Sequence, residues 1–416
     1  MVRFGAGLGG TEDSIAAGRA AAERARIALE QAGGTGCDLA IAFFSSHHVA
    51  TSLELAKSIR DTIKPRHLLG VSSHGVIAGA TEVEGAPGVA VLAASMPNVA
   101  IRGFTADELL STYDSPDGLD NLEAAIGTGD PLRGVLLFSD PTTVPMIRLL
   151  PTLGDAAGDD VPIIGGMASS GRNPGSNALF LDGRVVRAGL VGVSLSGAVK
   201  VDSIVSQGCR PFGPNFVVTK AKGNMVFELS GKPAIDAIRE AVQVFGERAE
   251  KVLQGGLFFG RVINEYKERF GRDDFLIRPV VGVKPDLGGV AAADILRVGT
   301  TVRMHVRDVD TAREDLAMLI DGQVMREPPR GAMLISCNGR GKKLFGEAHQ
   351  DARAVARLFM SDTPGEELAR AGREMGPMDP SPPIAGFFAA GEFGPVGKRS
   401  YLHGSTTSVA LFREPQ

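Results

Sequence analysis

The sequence contains no tryptophan and only three tyrosines among its 416 residues. Proteins that bind single-stranded nucleic acid stack the bases on aromatic side chains, so this scarcity weighs against such a surface. Lysine and arginine number 44 against 48 acidic residues, the net charge is -4, and no block of like charge stands out. Because nucleic-acid binding needs a basic patch that neutralises phosphates, the composition predicts no nucleic-acid partner.

Cysteine is also scarce, and the three that occur, Cys37, Cys209 and Cys337, lie far apart. Their odd number and spacing exclude a disulfide framework and a Cys-x-x-Cys zinc site. The pair His47 and His48 has no cysteine or carboxylate at ligand spacing, so we expect no metal and no cofactor. The N-terminus lacks an apolar signal core, and no run of about 18 apolar residues occurs, which predicts no membrane association. These features together predict a cytoplasmic protein.

A pattern of strand, polar turn, helix, strand, small-residue turn and strand occurs three times along the chain, which suggests an internal repeat. The copies begin with apolar runs and continue into helical stretches, at 39–44 and 49–63, 134–138 and 143–157, and 331–336 and 345–359. The apolar runs do not alternate with polar residues, which is typical of strands buried on both faces. The predicted fold class is therefore α/β, with layered mixed sheets flanked by helices and built from repeated strand–turn–helix–strand–turn–strand units.

The segments between these copies complete the domain organisation. Helical spacing after Pro233 predicts one helix over residues 234–254. A boundary near residues 207–231 divides the chain into two predicted domains, 1–215 and 216–416. Residues 363–383 are rich in glycine, proline and charge and are predicted to interrupt the third copy as a loop.

Five segments of the sequence carry a family resemblance. They read LLGVSSHGVIAGATEVEG, PGVAVLAASMP, PIIGGMASSG, SCNGRGKKLFGEAHQDARAV and GFFAAGEFGPVGKRSYLHGSTTSVALF. With these segments the chain resembles the FIST family (F-box and intracellular signal transduction proteins) over nearly its whole length. The resemblance implies an N-terminal FIST domain over 1–215 and a C-terminal one over 216–416. It further implies a ligand-sensing role in signal transduction, with small molecules such as amino acids as ligands and a separate signalling protein as the output partner.

The first candidate site is the turn formed by Cys337, Asn338, Gly339, Arg340 and Gly341, between a predicted buried strand and a helix. Glycines allow backbone N–H groups to approach a bound group closely, and the guanidinium beside them suits a carboxylate or phosphate. The same residues are also typical of a tight structural turn with a buried cysteine and a surface arginine.

A second turn carries Glu392 and Gly394, and a third carries His403 and Thr406 before the last apolar strand. By the repeat pattern, the Glu392 turn ends the strand next to the Cys337 strand, and turns at adjacent strand ends share one crevice in open α/β sheets. Glu392 would then accept from a ligand ammonium while Arg340 binds its carboxylate, which suits an amino acid. The alternative is that Glu392 and His403 have structural partners only.

The first copy has an analogous turn, with Ser72, Ser73 and His74, which would line a second pocket in the N-terminal half. Two other functions remain open. Cys337, His403 and Glu392 are the residue types of a thiol nucleophile, a base and an orienting acid, as in a hydrolase or transferase. A signalling scaffold without a ligand is the other alternative. The absence of a GxSxG nucleophile elbow, and the usual inertness of buried strand-end cysteines, favour a sensing module over an enzyme.

Overall fold

The computed structural model describes residues 1–106, 118–127, 129–360 and 381–415. By its contacts the chain forms two compact units, the first made of Met1–Val205 and Ala317–Gln416 and the second of Ser206–Leu316. The three predicted copies all belong to the first unit. The predicted loop at 363–383 lies almost entirely outside the described residues, and the predicted domain boundary at 215/216 stays a prediction.

The first copy runs from the N-terminus to Ser95. Its elements are β1 (Arg3–Gly9), α1 (Ser14–Gln31), β2 (Leu39–Ser45), α2 (Ser52–Ile63), β3 (His67–Ser73), β4 (Gly75–Ala78), β5 (Thr81–Glu84) and β6 (Val89–Ser95).

The second copy has the same order of elements. They are β7 (Val99–Thr105), α3 (Gly118–Ile126), β8 (Leu132–Ser139), α4 (Met146–Ala157), β9 (Ile163–Met167), β10 (Leu179–Leu181), β11 (Arg184–Val186) and β12 (Leu190–Gly197).

The third copy starts with β13 (Lys200–Ser206), after which the second unit follows in the sequence. The elements up to residue 306 are β14 (Arg210–Lys222), β15 (Met225–Leu229), β16 (Lys232–Pro233), α5 (Ala234–Val242), α6 (Ala249–Leu253), β17 (Leu257–Val262), β18 (Phe275–Lys284), β19 (Gly289–Ala292) and β20 (Thr301–Val306). The described strands of this unit form an antiparallel sheet in the order β14-β20-β17-β18-β19-β15-β16, and β14 also pairs with β15.

The rest of the third copy then completes the chain. Its elements are α7 (Val309–Val324), β21 (Gly331–Cys337), α8 (Gly341–Phe345), α9 (Gln350–Ala356), β22 (Ile384–Ala389), β23 (Glu392–Val396), β24 (Arg399–His403) and β25 (Thr407–Arg413).

Two predicted helices are interrupted, which corrects the sequence interpretation. The helix expected over 345–359 begins earlier and breaks after Phe345, because Gly346 and His349 both adopt left-handed backbone conformations. The helix expected over 234–254 breaks at Gly246, whose φ is 52°. Apolar spacing alone does not reveal such breaks, since the helical periodicity continues across them.

The three copies pair their strands in the same way within the first unit. In each, the strand that precedes the polar turn pairs in parallel with the next strand, as in β2 with β3, β8 with β9 and β21 with β22. An equivalent backbone hydrogen bond is made by the last residue of β2 and of β21 and by the residue that follows β8. These bonds are Ser45 N to Gly88 O at 2.9 Å, Asp140 N to Gly189 O at 2.8 Å, and Cys337 N to Thr406 O at 3.0 Å. The predicted α/β architecture with mixed sheets and repeated units is therefore confirmed.

Each copy also lends a hairpin to the sheet of another copy. The β4–β5 hairpin of the first copy pairs with β22 of the third copy. The β10–β11 hairpin of the second copy pairs with β3 of the first, and the β23–β24 hairpin of the third copy pairs with β9 of the second. Among the described residues, the unit therefore contains three six-stranded mixed sheets linked by a cyclic exchange. The small-residue turn that leads into each hairpin therefore lies beside the sheet of another copy.

The core between the sheets is centred on three phenylalanines, one from each copy. Phe43 stacks on Phe387 at 5.4 Å between ring centroids, and both rings meet Phe138 edge-on at 5.7 and 5.5 Å. All three side chains are fully buried. Offset and edge-on aromatic pairs stabilise such a contact beyond the area that they bury.

Close approach of α1 to the first sheet depends on glycine. Gly5, Gly7 and Gly9 alternate along β1, and a Cβ at Gly7 would overlap the carbonyl oxygen of Ala21 on α1. The facing positions of α1 are mostly alanines, which keeps the helix close to the strand. Asp13 caps this helix by accepting from Ala16 N at 2.8 Å.

Candidate functional site

The small-residue turns of the three copies meet at one place, which we call the turn junction and define as residues 72–75, 167–171 and 389–392. His74 N donates to Ser169 Oγ at 2.8 Å, and Ser169 Oγ donates to Phe388 O. Met167 N donates to Gly391 O at 2.8 Å. The turn predicted to line a separate N-terminal pocket thus lies beside the C-terminal turns, because the hairpins are exchanged between the copies.

The Cys337 turn borders this junction. Asn338 N donates to Ala389 O at 2.8 Å, while the Asn338 side chain is exposed. Gly341 has a φ of 53°, and a Cβ there would run into the carboxylate of Glu84. The predicted need for glycine at this turn therefore has a backbone and a packing reason.

Arg340 does not lie on the surface. Its side chain is fully buried and forms a bidentate ion pair with Asp351, with Nε to Oδ2 and Nη2 to Oδ1 both at 2.8 Å. Asp351 Oδ2 also accepts from the hydroxyls of Ser336 at 2.7 Å and Thr407 at 2.9 Å. Burial alone would raise the pKa of Asp351, but the charge and hydrogen bonds of Arg340 hold it below its usual range.

Two of the three guanidinium nitrogens of Arg340 are therefore occupied by Asp351. The third, Nη1, is buried and has no hydrogen-bond partner among the described residues. Cys337 and Glu392 both lie close enough to this guanidinium to interact with it electrostatically. The structure thus brings Arg340, Cys337 and Glu392 close to one another.

Cys337 is 7% exposed, and its sulfur accepts two backbone hydrogen bonds. The donors are Gly339 N at 3.4 Å and Ser405 N at 3.2 Å. The sulfur also lies 3.9 Å from Asn338 Oδ1. Two backbone N–H groups thus converge on the Cys337 sulfur.

Glu392, Thr406 and His403 are all buried close to this turn. Glu392 Oε2 accepts from Thr406 N at 3.1 Å. His403 Nε2 lies 2.9 Å from Gly394 O, so this ring nitrogen carries a proton and donates to the carbonyl. Gly394 lies in a tight contact, since a Cβ there would meet Val205 and Ser408.

The first-copy serines have structural hydrogen bonds. Ser72 Oγ accepts from Ala178 N at 2.8 Å, and Ser73 Oγ donates to Gly75 O at 2.8 Å. Both side chains are fully buried, whereas His74 is exposed at the turn junction.

Sequence reasoning missed several residues of this site. Asp351 lies 11 residues after Arg340, in a helix that was expected to be continuous. No local sequence pattern indicated that these two side chains would pair. Ser139 and Ser170 were not among the predicted site residues. The hydroxyl oxygens of both are buried and have no hydrogen-bond partner among the described residues.

Ser170 belongs to the turn junction, and Ser139 contacts the junction through its backbone. Ser139 O accepts from Ala168 N at 2.8 Å, and Ser170 follows Ser169, whose hydroxyl donates to Phe388 O. Most buried polar atoms in proteins have a hydrogen-bond partner, so orphaned ones call for an explanation. Ser170 in the junction, and Ser139 and Arg340 beside it, therefore have buried polar atoms with spare hydrogen-bonding capacity. The neighbouring residues Gly339, Gly404 and Ser405 are partly exposed.

Within the described ranges, no group of three or more histidine, cysteine or acidic side chains is arranged to hold a metal ion. No helix in the same ranges is long and apolar enough to cross a membrane. An open surface groove is lined by Arg60, Asp61, Lys64 and Pro65. It lies before the start of β3, whereas the turn junction follows its end.

Comparison with known proteins places the chain among relatives of similar length. It is 34% identical over 423 residues to the uncharacterized protein Rv0628c of Mycobacterium tuberculosis, covering 99% of this chain and 100% of that protein. It is also 34% identical over 417 residues to the uncharacterized protein Mb0898c of Mycobacterium bovis, covering 99% of each.

Among solved structures, the chain is similar to two cyanuric acid hydrolases. One, from A. caulinodans, matches with a TM-score of 0.30 and 10% identity, and the other matches with a TM-score of 0.32 and 7% identity. Each match covers the whole of both chains. At these TM-scores the similarity establishes neither a shared fold nor a shared activity.

Family models match most of the chain. The FIST N domain matches residues 38–232, and the FIST C domain matches residues 234–395. The resemblance predicted from the sequence segments is thereby confirmed, and the chain belongs to the FIST family.

Proposed function

We propose that this protein is a small-ligand sensing module of intracellular signal transduction that binds an amino acid at the turn junction. The observation that supports this proposal most directly is the set of buried polar atoms without partners among the described residues. They are Arg340 Nη1, Ser139 Oγ and Ser170 Oγ. A polar ligand that hydrogen-bonds to them would remove the free-energy cost of leaving them unsatisfied, about 1–3 kcal/mol for each group.

The charges of the site suit a zwitterion. Arg340, Asp351 and Glu392, taken together in their ionised forms, carry one net negative charge, and all three are buried. A ligand ammonium would balance that charge, since buried charges are stable when they are paired. The ligand carboxylate would be bound by Arg340 Nη1 and by backbone N–H groups of the Cys337 turn.

The site differs in one respect from the arrangement that the sequence suggested. Asp351 already occupies the fork of Arg340, so the guanidinium offers a ligand Nη1 rather than a bidentate edge. The main effect of Asp351 is then to fix the positive charge of Arg340 at one place. The output of ligand binding would pass to a separate signalling protein.

A thermal-shift screen tests this proposal. The twenty amino acids and a set of small carboxylates are added to the full chain at millimolar concentration. A ligand at 100 times its Kd should raise Tm by about 2–5 °C. Ser170→Ala should weaken the shift, whereas Ser176→Ala serves as the matched control, because the Ser176 hydroxyl donates to Asn173 O within the same loop. A complete absence of shifts across the panel would contradict the proposal.

The two backbone N–H groups on the Cys337 sulfur favour a second candidate function, a thiol-dependent hydrolase or transferase. Cys337 would be the nucleophile, with His403 and Glu392 as base and orienting acid. His403 Nε2 donates to Gly394 O, so Nδ1 would have to act as the base.

Selective alkylation tests this second candidate, with Cys37 as an internal control. Burial raises the pKa of the Cys37 thiol to about 12, so Cys37 should react slowly. An enzyme nucleophile at position 337 should react with iodoacetamide at pH 7 at least about tenfold faster than an ordinary thiol. Equal, slow rates for both residues, measured by mass spectrometry, would eliminate this candidate.

A further inference from the structure

Ser14 and His48 form a hydrogen-bonded pair in the first copy that the proposed ligand site does not use. Ser14 is the first residue of α1, and His48 ends the polar turn that follows β2. Ser14 Oγ lies 2.8 Å from His48 Nδ1 and 2.7 Å from Thr51 Oγ1. A serine hydroxyl in contact with an imidazole is the arrangement that activates serine as a nucleophile.

The turn that carries His48 corresponds to the Cys337 turn of the third copy. Ser45 and Cys337 make the equivalent backbone hydrogen bond at the ends of their strands. His48 and Arg340 each follow three residues later, and both side chains are fully buried. Arg340 pairs with the helix that follows it, whereas His48 pairs with Ser14 on the helix that precedes it. One position of the repeated turn therefore holds a buried polar side chain whose partner differs between the two copies.

The second ring nitrogen of His48 is unsatisfied. Nε2 is buried and has no hydrogen-bond partner among the described residues, so the Ser14 hydroxyl is the partner that holds the ring. A buried polar atom without a partner costs folding free energy, and such atoms in native proteins call for a functional explanation. The contact with a serine hydroxyl offers one.

The imidazole of His48 is suited to accept a proton. Burial, followed by the charge of His47, lowers the pKa of His48, although the charge of Asp13 opposes the shift. A neutral imidazole has one nitrogen without a proton. In the tautomer with the proton on Nε2, Nδ1 accepts from Ser14 Oγ, which in turn accepts from the Thr51 hydroxyl. Nδ1 is then a base for the Ser14 hydroxyl.

The start of α1 supplies hydrogen-bond donors beside the nucleophile. The first N–H groups of a helix have no partner within the helix. Ala16 N donates to Asp13 Oδ1, and Ala17 N donates to Asp13 O, both at 2.8 Å. The N–H groups of Ser14 and Ile15 remain for an acceptor outside the helix. Two backbone donors next to a serine nucleophile stabilise the negative charge that develops on an acyl oxygen.

The pair lies just below the surface of the protein. Ser14 is 8% exposed, and residues 10–13 before it, two of which are acidic, are all exposed. Ile15, next to Ser14, and Leu53, at the start of α2, are apolar and are 46% and 58% exposed. Apolar side chains at this place suit an apolar acyl group, whereas the acidic residues would repel an anionic substrate.

We propose that Ser14 and His48 are a nucleophile and its base in the hydrolysis of uncharged esters of apolar acids. Ser14 Oγ attacks the carbonyl carbon, its proton passes to His48 Nδ1, and the N–H groups of Ser14 and Ile15 bind the oxyanion. The ester C–O bond then breaks, and the leaving alcohol takes the proton from Nδ1. Water attacks the acylated serine and gives a proton to Nδ1, and this proton returns to Ser14 Oγ as the acid leaves.

Labelling of the full chain with an alkyl fluorophosphonate tests this proposal. The protein is treated at pH 7, and modification of each serine is followed by peptide mass spectrometry. Ser14 should react at least about tenfold faster than Ser46, an exposed serine in the same turn as His48. His48→Gln should lower the Ser14 rate to that of Ser46. His47→Gln, at the neighbouring exposed histidine, is the matched control and should retain the fast reaction.

A wild-type Ser14 that reacts no faster than Ser46, or an unchanged Ser14 rate in His48→Gln, overturns the proposal. If His48→Gln does not fold, hydrolysis of p-nitrophenyl butyrate decides instead. Loss of the wild-type hydrolysis in Ser14→Ala supports the proposal, and equal rates in the two proteins overturn it. Because labelling is assigned to individual residues, a reaction at Cys337 is distinguished from one at Ser14.

Discussion

Arg340 and Asp351 form a fully buried ion pair with two parallel hydrogen bonds of 2.8 Å, and two hydroxyls complete the shell of Asp351. The pair joins the Cys337 turn to α9. Replacing Asp351 by Ala should destabilise the protein by about 3–5 kcal/mol, because an uncompensated guanidinium stays buried. Urea unfolding followed by circular dichroism measures this loss.

The control for this prediction is the double variant Arg340→Met/Asp351→Leu. Removing both charges should recover most of the stability that the single variant loses, since apolar residues of similar volume often replace a buried pair without cost. If the double variant were as unstable as Asp351→Ala, packing rather than charge would explain the loss.

The pH dependence of stability should have two limbs. The folded pKa of Asp351 is depressed, so its contribution is present above the pKa of an unfolded aspartate and is lost as pH falls through the folded value. Burial raises the folded pKa of Glu82 to about 7, so its contribution is fully present below the pKa of an unfolded glutamate and is lost as pH rises through 7. The combined contribution of these two groups to stability is therefore largest near pH 5.

Melting temperatures from pH 3 to 8 check this profile. The limb above pH 5 should flatten in Glu82→Gln, and the acid limb should remain. The full Glu82 effect corresponds to about 3 kcal/mol, at 1.36 kcal/mol per pKa unit. An unchanged upper limb in the variant would assign the pH dependence to other groups.

Gly7 should be among the least replaceable residues of β1. Gly7→Ala places a methyl group against the backbone of α1 and should destabilise the protein by about 1–3 kcal/mol or more through overpacking. Gly10→Ala is the matched control, since its Cβ would have one neighbour at 3.9 Å. Equal unfolding midpoints for the two variants would show that strand and helix can separate without cost.

The three-ring contact of the core offers a further check. Phe138→Ala removes the ring that meets both Phe43 and Phe387 and should cost about 3–5 kcal/mol. Phe138→Leu keeps most of the volume and should cost clearly less. Denaturant titration of both variants measures the difference, and equal losses would point to the aromatic geometry rather than to the volume.

The fold class and the repeats were predictable because they depend on local patterns. The apolar runs at 39–44, 134–138 and 331–336 each became the buried parallel strand that precedes a polar turn. The two helix breaks were not predictable in this way. Left-handed backbone at Gly346 and His349 interrupts a segment whose apolar periodicity is continuous.

The candidate site was predicted in part. The turn of Cys337 and Arg340 and the turn of Glu392 come together because they follow neighbouring parallel strands, which sequence order suggested. Asp351 as the partner of Arg340 was not foreseen, and neither was the orphaned hydroxyl of Ser170. Both depend on which side chains are buried and on what surrounds them.

The sequence by itself determined the strands, the polar turns and the family resemblance, since each depends on short contiguous stretches of residues. Only the tertiary structure decided that each copy lends a hairpin to another, that Ser72–His74 and Glu392 share one junction, and that Glu82 contacts α9. Those contacts join residues as many as 270 positions apart. Their energies come from burial and charge compensation, which no local pattern encodes.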